Sequence, residues 1–147
     1  KPERKLYLDL RKSLEKHRRN LHLVRIENLV GQGVPDLHCT YYCISFWLEL
    51  KVSDAKKPPL SKYQLAWHMQ HADAGGTSFI LQRTQKEEHL KLFVGAGVRN
   101  VPAWLPVLEL PVPTSRSRCE NKLNVYEKIF NFIKERAEHH KNGHILD

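Results

Sequence analysis

The stretch GVPDLHCTYYCISFWLELK, residues 33–51, is the most apolar part of the chain, yet it carries Asp36, Glu49 and Lys51. In a strand, alternate residues share a face. Phe46, Leu48, Leu50 and Val52 then point into a core, while Trp47, Glu49 and Lys51 point the other way. Asp36 follows Gly33 and Pro35 at the start of the preceding strand, and an antiparallel hairpin brings that start beside Glu49. Two converging carboxylates raise each other's pKa unless a cation intervenes. The hard-oxygen pair suits Mg²⁺, which keeps waters and takes one or two protein carboxylates. A charged lysine alongside can orient a water or neutralise charge building on a phosphate. Acid, acid, lysine and metal together make a device for hydrolysing phosphodiesters. The plain alternative is a pair of surface acids at strand ends.

The elements that must position these groups follow from periodicity. Residues 2–20, PERKLYLDLRKSLEKHRRN, read as a helix with Pro2 in its first turn and a stripe of Leu6, Leu10 and Leu14. LHLVRIEN alternates like a strand, with Leu21, Leu23 and Arg25 on one side and Val24 and Ile26 on the other. DLHCTYY and CISFWLELKV are two further strands that pair antiparallel. After the break DAKKPPLS, Ser61 caps a helix KYQLAWHMQHADA, which Gly75-Gly76 ends. TSFILQRT and HLKLFVG are two more strands. The segment from about 98 to 118 is rich in proline and is expected to wrap the surface as an extended arm. A last helix over about 119–140 carries a stripe of Val125, Ile129, Phe132 and Ile133, suited to docking on the domain's own core or to a dimer seam. The expected fold is α/β (α+β), a mixed sheet with helices packed on it, in a single domain of 147 residues.

The formal charge of +8 is unevenly spread. Residues 1–25 hold nine Lys/Arg against three acids, and residues 26–51 one lysine against three acids. A basic chain with an acidic centre fits a polyanion gripped from the flanks. A solvated basic surface is the competing reading. The three cysteines, Cys39, Cys43 and Cys119, form no C-x-x-C pair, which points to a reducing compartment; with no run of 18 or more apolar residues and no signal-like start, a soluble intracellular protein is expected. No P-loop, dinucleotide fingerprint or G-x-S-x-G element is present.

Pro35-Asp36, then Glu49-Leu50-Lys51 after a twelve-residue gap, with this order of elements, resembles the PD-(D/E)XK nuclease superfamily. Within it the chain looks like the small phage-type nucleases related to archaeal Holliday-junction resolvases and VRR-NUC domains. The resemblance covers residues 3 to about 95 and implies a restriction-endonuclease-like core with an added arm and helix. It implies a glutamate early in the first helix aimed at a metal. Glu3, on the face of Leu6 and Leu10, is preferred over Asp9 and Glu15. It also implies that Gln64, on the second helix, faces the site and that the Leu50 carbonyl joins Glu3, Asp36 and Glu49 around one or two ions. Mg²⁺ is the implied cofactor, with Mn²⁺ able to substitute.

The function implied is metal-dependent endonucleolytic cutting of DNA, selective for branched or four-way-junction structure, by a homodimer or larger assembly in the cytoplasm of a bacterial or phage-infected cell. Two alternatives stand beside it: a sequence-specific homing or restriction-type endonuclease, and a non-catalytic DNA-binding module. Arg11, Lys12, Arg18, Arg19, Arg25, Lys62 and His68 are the candidate DNA contacts. Arg25 has a competing salt bridge to Glu27, and His68 with His71 suggests a weak H-x-x-H zinc pair. Trp47 and Trp104 are candidates to stack on an unpaired base. His38, Cys39 and Cys43 resemble a metal cluster only on paper, because His38 and Cys39 point to opposite faces.

Overall fold

The computed structural model describes residues 2–26, 31–112 and 118–141, with side chains of the last stretch described over 125–140. The chain runs α1 (Pro2–Ser13), a 3-10 segment (Glu15–Asn20), β1 (Leu21–Arg25), β2 (Leu37–Tyr41), β3 (Ile44–Val52) and α2 (Lys62–Asp73). Then come β4 (Ser78–Arg83), β5 (His89–Val94), a second 3-10 segment (Gly95–Ala103), β6 (Leu108–Pro111) and α3 (Arg118–Lys141). The strands form one six-stranded sheet in sequence order. Every neighbouring pair is antiparallel except β3–β4, which is parallel because α2 carries the chain across the sheet between them. The fold is therefore α+β, a mixed sheet flanked by helices. No helix among the described residues is long and apolar enough to cross a membrane.

Alternation divides the core into two layers. Leu37, Cys39 and Tyr41 of β2 join Phe46, Leu48 and Leu50 of β3, and α1 and α3 cover them with Leu6, Leu10, Tyr126, Ile129, Phe130 and Ile133. The other layer holds Ile80, Phe93, Val98 and Trp104, with Leu60 and Leu65 packed against it. Truncating a wholly buried residue such as Leu10 or Phe130 to alanine removes roughly 2–5 kcal/mol, a large part of a domain's margin of about 5–15 kcal/mol. The α3 stripe thus docks on the domain's own core: Val125, Ile129 and Ile133 are buried, and Phe132 is partly so.

Two expectations need correction. The first helix stops being α-helical at Ser13 and tightens over Glu15–Asn20. That run has no apolar stripe, and the tighter turn goes with an inward His17, whose Nδ1 lies 2.7 Å from the Tyr42 hydroxyl and Nε2 3.1 Å from Glu127. The proline-rich segment is not an extended arm throughout. Its start forms the second 3-10 segment, and Leu108–Pro111 becomes β6, paired with β5. Pro111 is tolerated because β6 lies at the sheet edge. Trp104 anchors the turn: its indole donates to the Val94 carbonyl, and a side chain at Gly97 would strike its ring. Residues 27–30, with Glu27, and 113–117 lie outside the described residues.

His68 of α2 is wholly buried, with Nδ1 2.8 Å from the Ser78 hydroxyl and Nε2 without a hydrogen-bond partner among the described residues. A side chain at Gly95 would collide with that pair. Burial first, then the charges of His71 and Lys51, push its pKa down to about 4 from 6.5. A depressed folded-state value gives stability that is present above pH 6.5 and lost as the pH falls from there through 4. The interval corresponds to at most roughly 3 kcal/mol. His68→Asn is expected to be less stable than the wild type at pH 7.5, yet to lose less of its unfolding free energy between pH 6.5 and 4 in urea titrations. Equal losses in the two proteins would mean that another group carries the acid sensitivity.

Candidate active site

The site arises where β3 outruns β2. Leu37 opposite Leu48 is the first ladder pair, so β3 continues for four residues with no strand on that side. The amides of alternate residues face that gap, and two carboxylates meet them. Leu50 N–H donates to Asp36 Oδ2 at 2.8 Å, and Val52 N–H donates to Glu3 Oε2 at 3.1 Å. Unpaired amides in a half-buried setting are costly, which gives both acids a structural reason to sit there. A strand residue turns its N–H and C=O to the same side, so the Leu50 carbonyl also faces the gap, while its side chain lies in the core.

Glu49 and Lys51 project from β3 toward α2, and the cap of α2 organises them. Ser61 Oγ accepts Gln64 N–H at 3.2 Å, and Gln64 Oε1 accepts Ser61 N–H at 2.9 Å, a reciprocal capping box. The same Oε1 accepts from Lys51 Nζ at 3.2 Å, and Gln64 Nε2 donates to Glu49 Oε2 at 3.4 Å. One amide, fixed by the helix start, therefore spans the lysine and the buried acid. Gly33 locks the loop bearing Asp36 onto this turn. Its φ is +85°, and any side chain would meet the Tyr63 carbonyl and the Gln64 amide.

Glu49 is 2 % exposed, and its Oε1 has no hydrogen-bond partner among the described residues. Burial pushes its pKa up to about 9, aided by the charge of Asp36, a hydrogen bond with it and the charge of Glu3, against a lowering by Lys51. Without a cation nearby, burial and the neighbouring acids favour the neutral form of this carboxyl.

The sequence candidates divide clearly. Glu3, Asp36, Glu49, Lys51 and Gln64 come together. Asp9 instead pairs with Arg83 at 3.5 Å, and the exposed Glu15 with Arg18 at 3.6 Å. Arg25 stands 5.0 Å over the Tyr7 ring, and Arg11 and Arg18 line a groove of about 280 Å³ with Tyr7 and His22. Lys12 and Arg19 are exposed, as is Lys62, which stands 5.2 Å over the Tyr63 ring. His68 as a DNA contact is corrected by its complete burial, which also removes it from a zinc pair with His71. Trp104 is likewise buried and held, so it offers no stacking face. Burial of Cys39 drives its thiol pKa far up, and Cys43 is exposed in the β2–β3 turn.

Two features were not anticipated. Gln82, beside Lys51 in the β3–β4 register and wholly buried, donates to the Ser53 carbonyl at 3.0 Å and the Ala55 carbonyl at 2.8 Å. It pins the chain as it leaves the site toward α2. A polar residue inside the apolar run SFILQR was the available signal. Glu87, His89 and Glu109 also gather, at the β5–β6 edge, with His89 Nδ1 2.6 Å from Glu109 and 3.9 Å from Glu87.

A raised folded-state pKa gives Glu49 a contribution that is full below pH 4.5 and lost as the pH rises toward 9. In EDTA, Glu49→Gln is therefore expected to be more stable than the wild type by about 1–3 kcal/mol at pH 7.5, with the gain vanishing near pH 4.5. Added Mg²⁺ should raise the melting temperature of the wild type and not of the variant. A variant less stable at every pH would contradict this electrostatic account. Gly33→Ala is expected to cost more than about 1 kcal/mol in thermal unfolding, since it combines a left-handed backbone with a collision. A neutral effect would show that the loop does not need its close contact with α2.

No family model matches the sequence, and no curated protein matches it. Among solved structures, the chain is similar to Hjc, a Holliday junction resolvase from the archaeal hyperthermophile Archaeoglobus fulgidus. The two share 15% identity over 73% of this chain and 93% of that one, with a TM-score of 0.47.

Proposed function

We propose that this chain is a metal-dependent endodeoxyribonuclease that acts on branched DNA. The observation that carries the reading is Glu49: a buried carboxyl with an orphaned oxygen, within the field of Asp36 and Glu3 and bridged to Lys51 by Gln64. Placing an acid there destabilises the chain unless a cation uses it. The donor set is all oxygen, from Glu3, Asp36, Glu49 and the Leu50 carbonyl, and it fits Mg²⁺, or Mn²⁺ in its place, rather than a soft metal. When bound, such an ion supplies an acidified water and charge neutralisation at a phosphate.

The chain's own residues do the rest. Lys51, its amine held by the Gln64 carbonyl oxygen, presents a fixed positive charge where negative charge gathers on the phosphate during displacement. Gln64 also holds Glu49 by Oε2, which leaves Oε1 as the carboxyl oxygen open to a cation. Arg25, Arg11 and Arg18 lie on or against the α1 side of the centre, and Glu3, Tyr7 and Arg11 recur every four residues along one face of that helix. Eight helical residues rise about 12 Å, so cations continue away from the site along a path suited to a phosphate backbone. Cutting two strands of a junction calls for two such centres, hence a homodimer.

The test uses end-labelled four-way junction, linear duplex and single strand, with Mg²⁺ or EDTA. Metal-dependent cutting of the junction is expected, abolished in Asp36→Asn and slowed at least about a hundredfold in Lys51→Ala. Discrete cuts in a long natural duplex, with the junction ignored, would shift the assignment to a sequence-specific endonuclease. Tight binding with no cutting of any substrate would defeat the enzymatic reading.

A further inference from the structure

We infer that the sheet carries, next to the candidate active site, a pocket for one unpaired nucleobase of the DNA substrate, walled by His38, Trp47 and His71. The inference rests on the nuclease reading for the identity of the ligand and on separate geometry for the site.

Strand register supplies the first argument. Val24 pairs with His38, and His38 with Trp47, so these three side chains form one row across the sheet. Continuing the β2–β3 register past Leu37 and Leu48 puts Asp36 and Glu49 in the next row on the same face. Rows two residues apart are about 6.6–6.8 Å apart along a strand. A nucleotide whose phosphate sits at Asp36 and Glu49 therefore has its neighbour within reach of His38 and Trp47.

The second argument is that this part of the face is open. Trp67 of α2 meets Trp47 at 5.3 Å between ring centres. On β1 and β2, however, His22 is exposed, and Val24, His38 and Thr40 are only half-buried. From His38 and Trp47 a groove of about 390 Å³ runs round the end of the sheet, past the β2–β3 turn and Gly75–Thr77, to Ala137 and His140 of α3.

Its chemistry selects the occupant. The walls are planar rings: His38 meets Trp47 at 4.8 Å, and His71 stacks on Trp67 at 4.6 Å with 20° between planes. Gly76 closes on the other face of His71, where any side chain would strike the ring, so this ring is fixed before a ligand arrives and turns its edge, a hydrogen-bonding one, to the groove. Among the described residues no Asp, Glu, Lys or Arg lines the groove, so it carries no permanent charge to select a phosphate or an acidic peptide. The His38 and Trp47 rings, set at 66° to one another, with the hydroxyls of Ser45 and Thr77 nearby, match a base, which has apolar faces and a polar edge. A base can enter only when unpaired, so the groove would favour DNA that is branched, frayed or single-stranded beside the scissile bond.

The experiment measures the affinity of a labelled single-stranded oligonucleotide and of the same sequence as duplex, by fluorescence anisotropy in EDTA. It compares the wild type with His38→Ala, His38→Phe and Trp47→Leu, each checked by thermal melting. The single-strand to duplex affinity ratio is expected to fall at least about fivefold in His38→Ala and Trp47→Leu, and to be retained in His38→Phe, which keeps a ring. If Trp47→Leu does not fold, the two His38 variants decide the matter. An unchanged ratio in His38→Ala overturns the base pocket, and so does a wild type that does not bind single strand. Metal-dependent cleavage by the wild type, assayed in parallel, separates the two readings. Cleavage with an unchanged ratio removes the pocket and leaves the nuclease. A changed ratio without cleavage keeps the pocket on a DNA-binding protein that does not cut.

Discussion

The structure turns on one mismatch of strand lengths: β3 extends four residues beyond the start of β2, leaving the amides of Leu50 and Val52 without a ladder. Asp36 and Glu3 take those amides, so two acids enter the half-buried gap as hydrogen-bond acceptors. Burial raises the pKa of Glu49, and the charges of Asp36 and, less, Glu3 add to it. The fold thus gathers negative charge by satisfying its own backbone, and leaves one carboxyl oxygen unmatched. A helix cap holds the answering lysine. Because Gln64 belongs at once to the capping box and to the Lys51–Glu49 bridge, the start of α2 cannot shift without moving both side chains.

The two faces of the sheet have different tasks. On one, α1 and α3 cover a continuous apolar layer from Leu37 to Ile133. On the other, α2 and the second 3-10 segment cover only the middle and far strands, through Ile80, Phe93 and Trp104. The uncovered strip over β1 and β2 holds His22, Val24, His38 and Thr40, and Glu49 and Lys51 lie at its border, under the start of α2. Closing the first face allows the second to stay partly open, since packing there already holds the strands in register.

Much of this was legible in the sequence because it depends on period. Alternation through FWLELKV separates Glu49 and Lys51 from Leu48 and Leu50, and the four-residue leucine repeat puts Glu3 on the inner face of α1. What could not be read was set by contacts between distant segments. His68 has the same spacing from Gln64 as a cleft residue would, yet it lies under Gly95 and against Ser78, which helical periodicity cannot disclose. The prolines near residue 110 suggested an unpaired arm, but a single edge strand accepts Pro111 because one side of it needs no partner. Gln82 was invisible as a tether, since its acceptors belong to a loop 27 to 29 residues away. The resemblance to resolvase-like nucleases supplied Gln64. Its double role in cap and site appears only in three dimensions.

The division of the core also sorts the chromophores. Trp47, Trp67 and Trp104 all belong to the α2 side of the sheet, whereas Tyr7, Tyr41 and Tyr126 lie in the layer beneath α1 and α3. Light absorbed by indole alone therefore reports the half-open side that carries the candidate site. The near-ultraviolet signal of the buried phenols reports the closed side. Two optical probes native to the chain thus distinguish loosening of one layer from collapse of the whole, and no label is needed to see which gives way first.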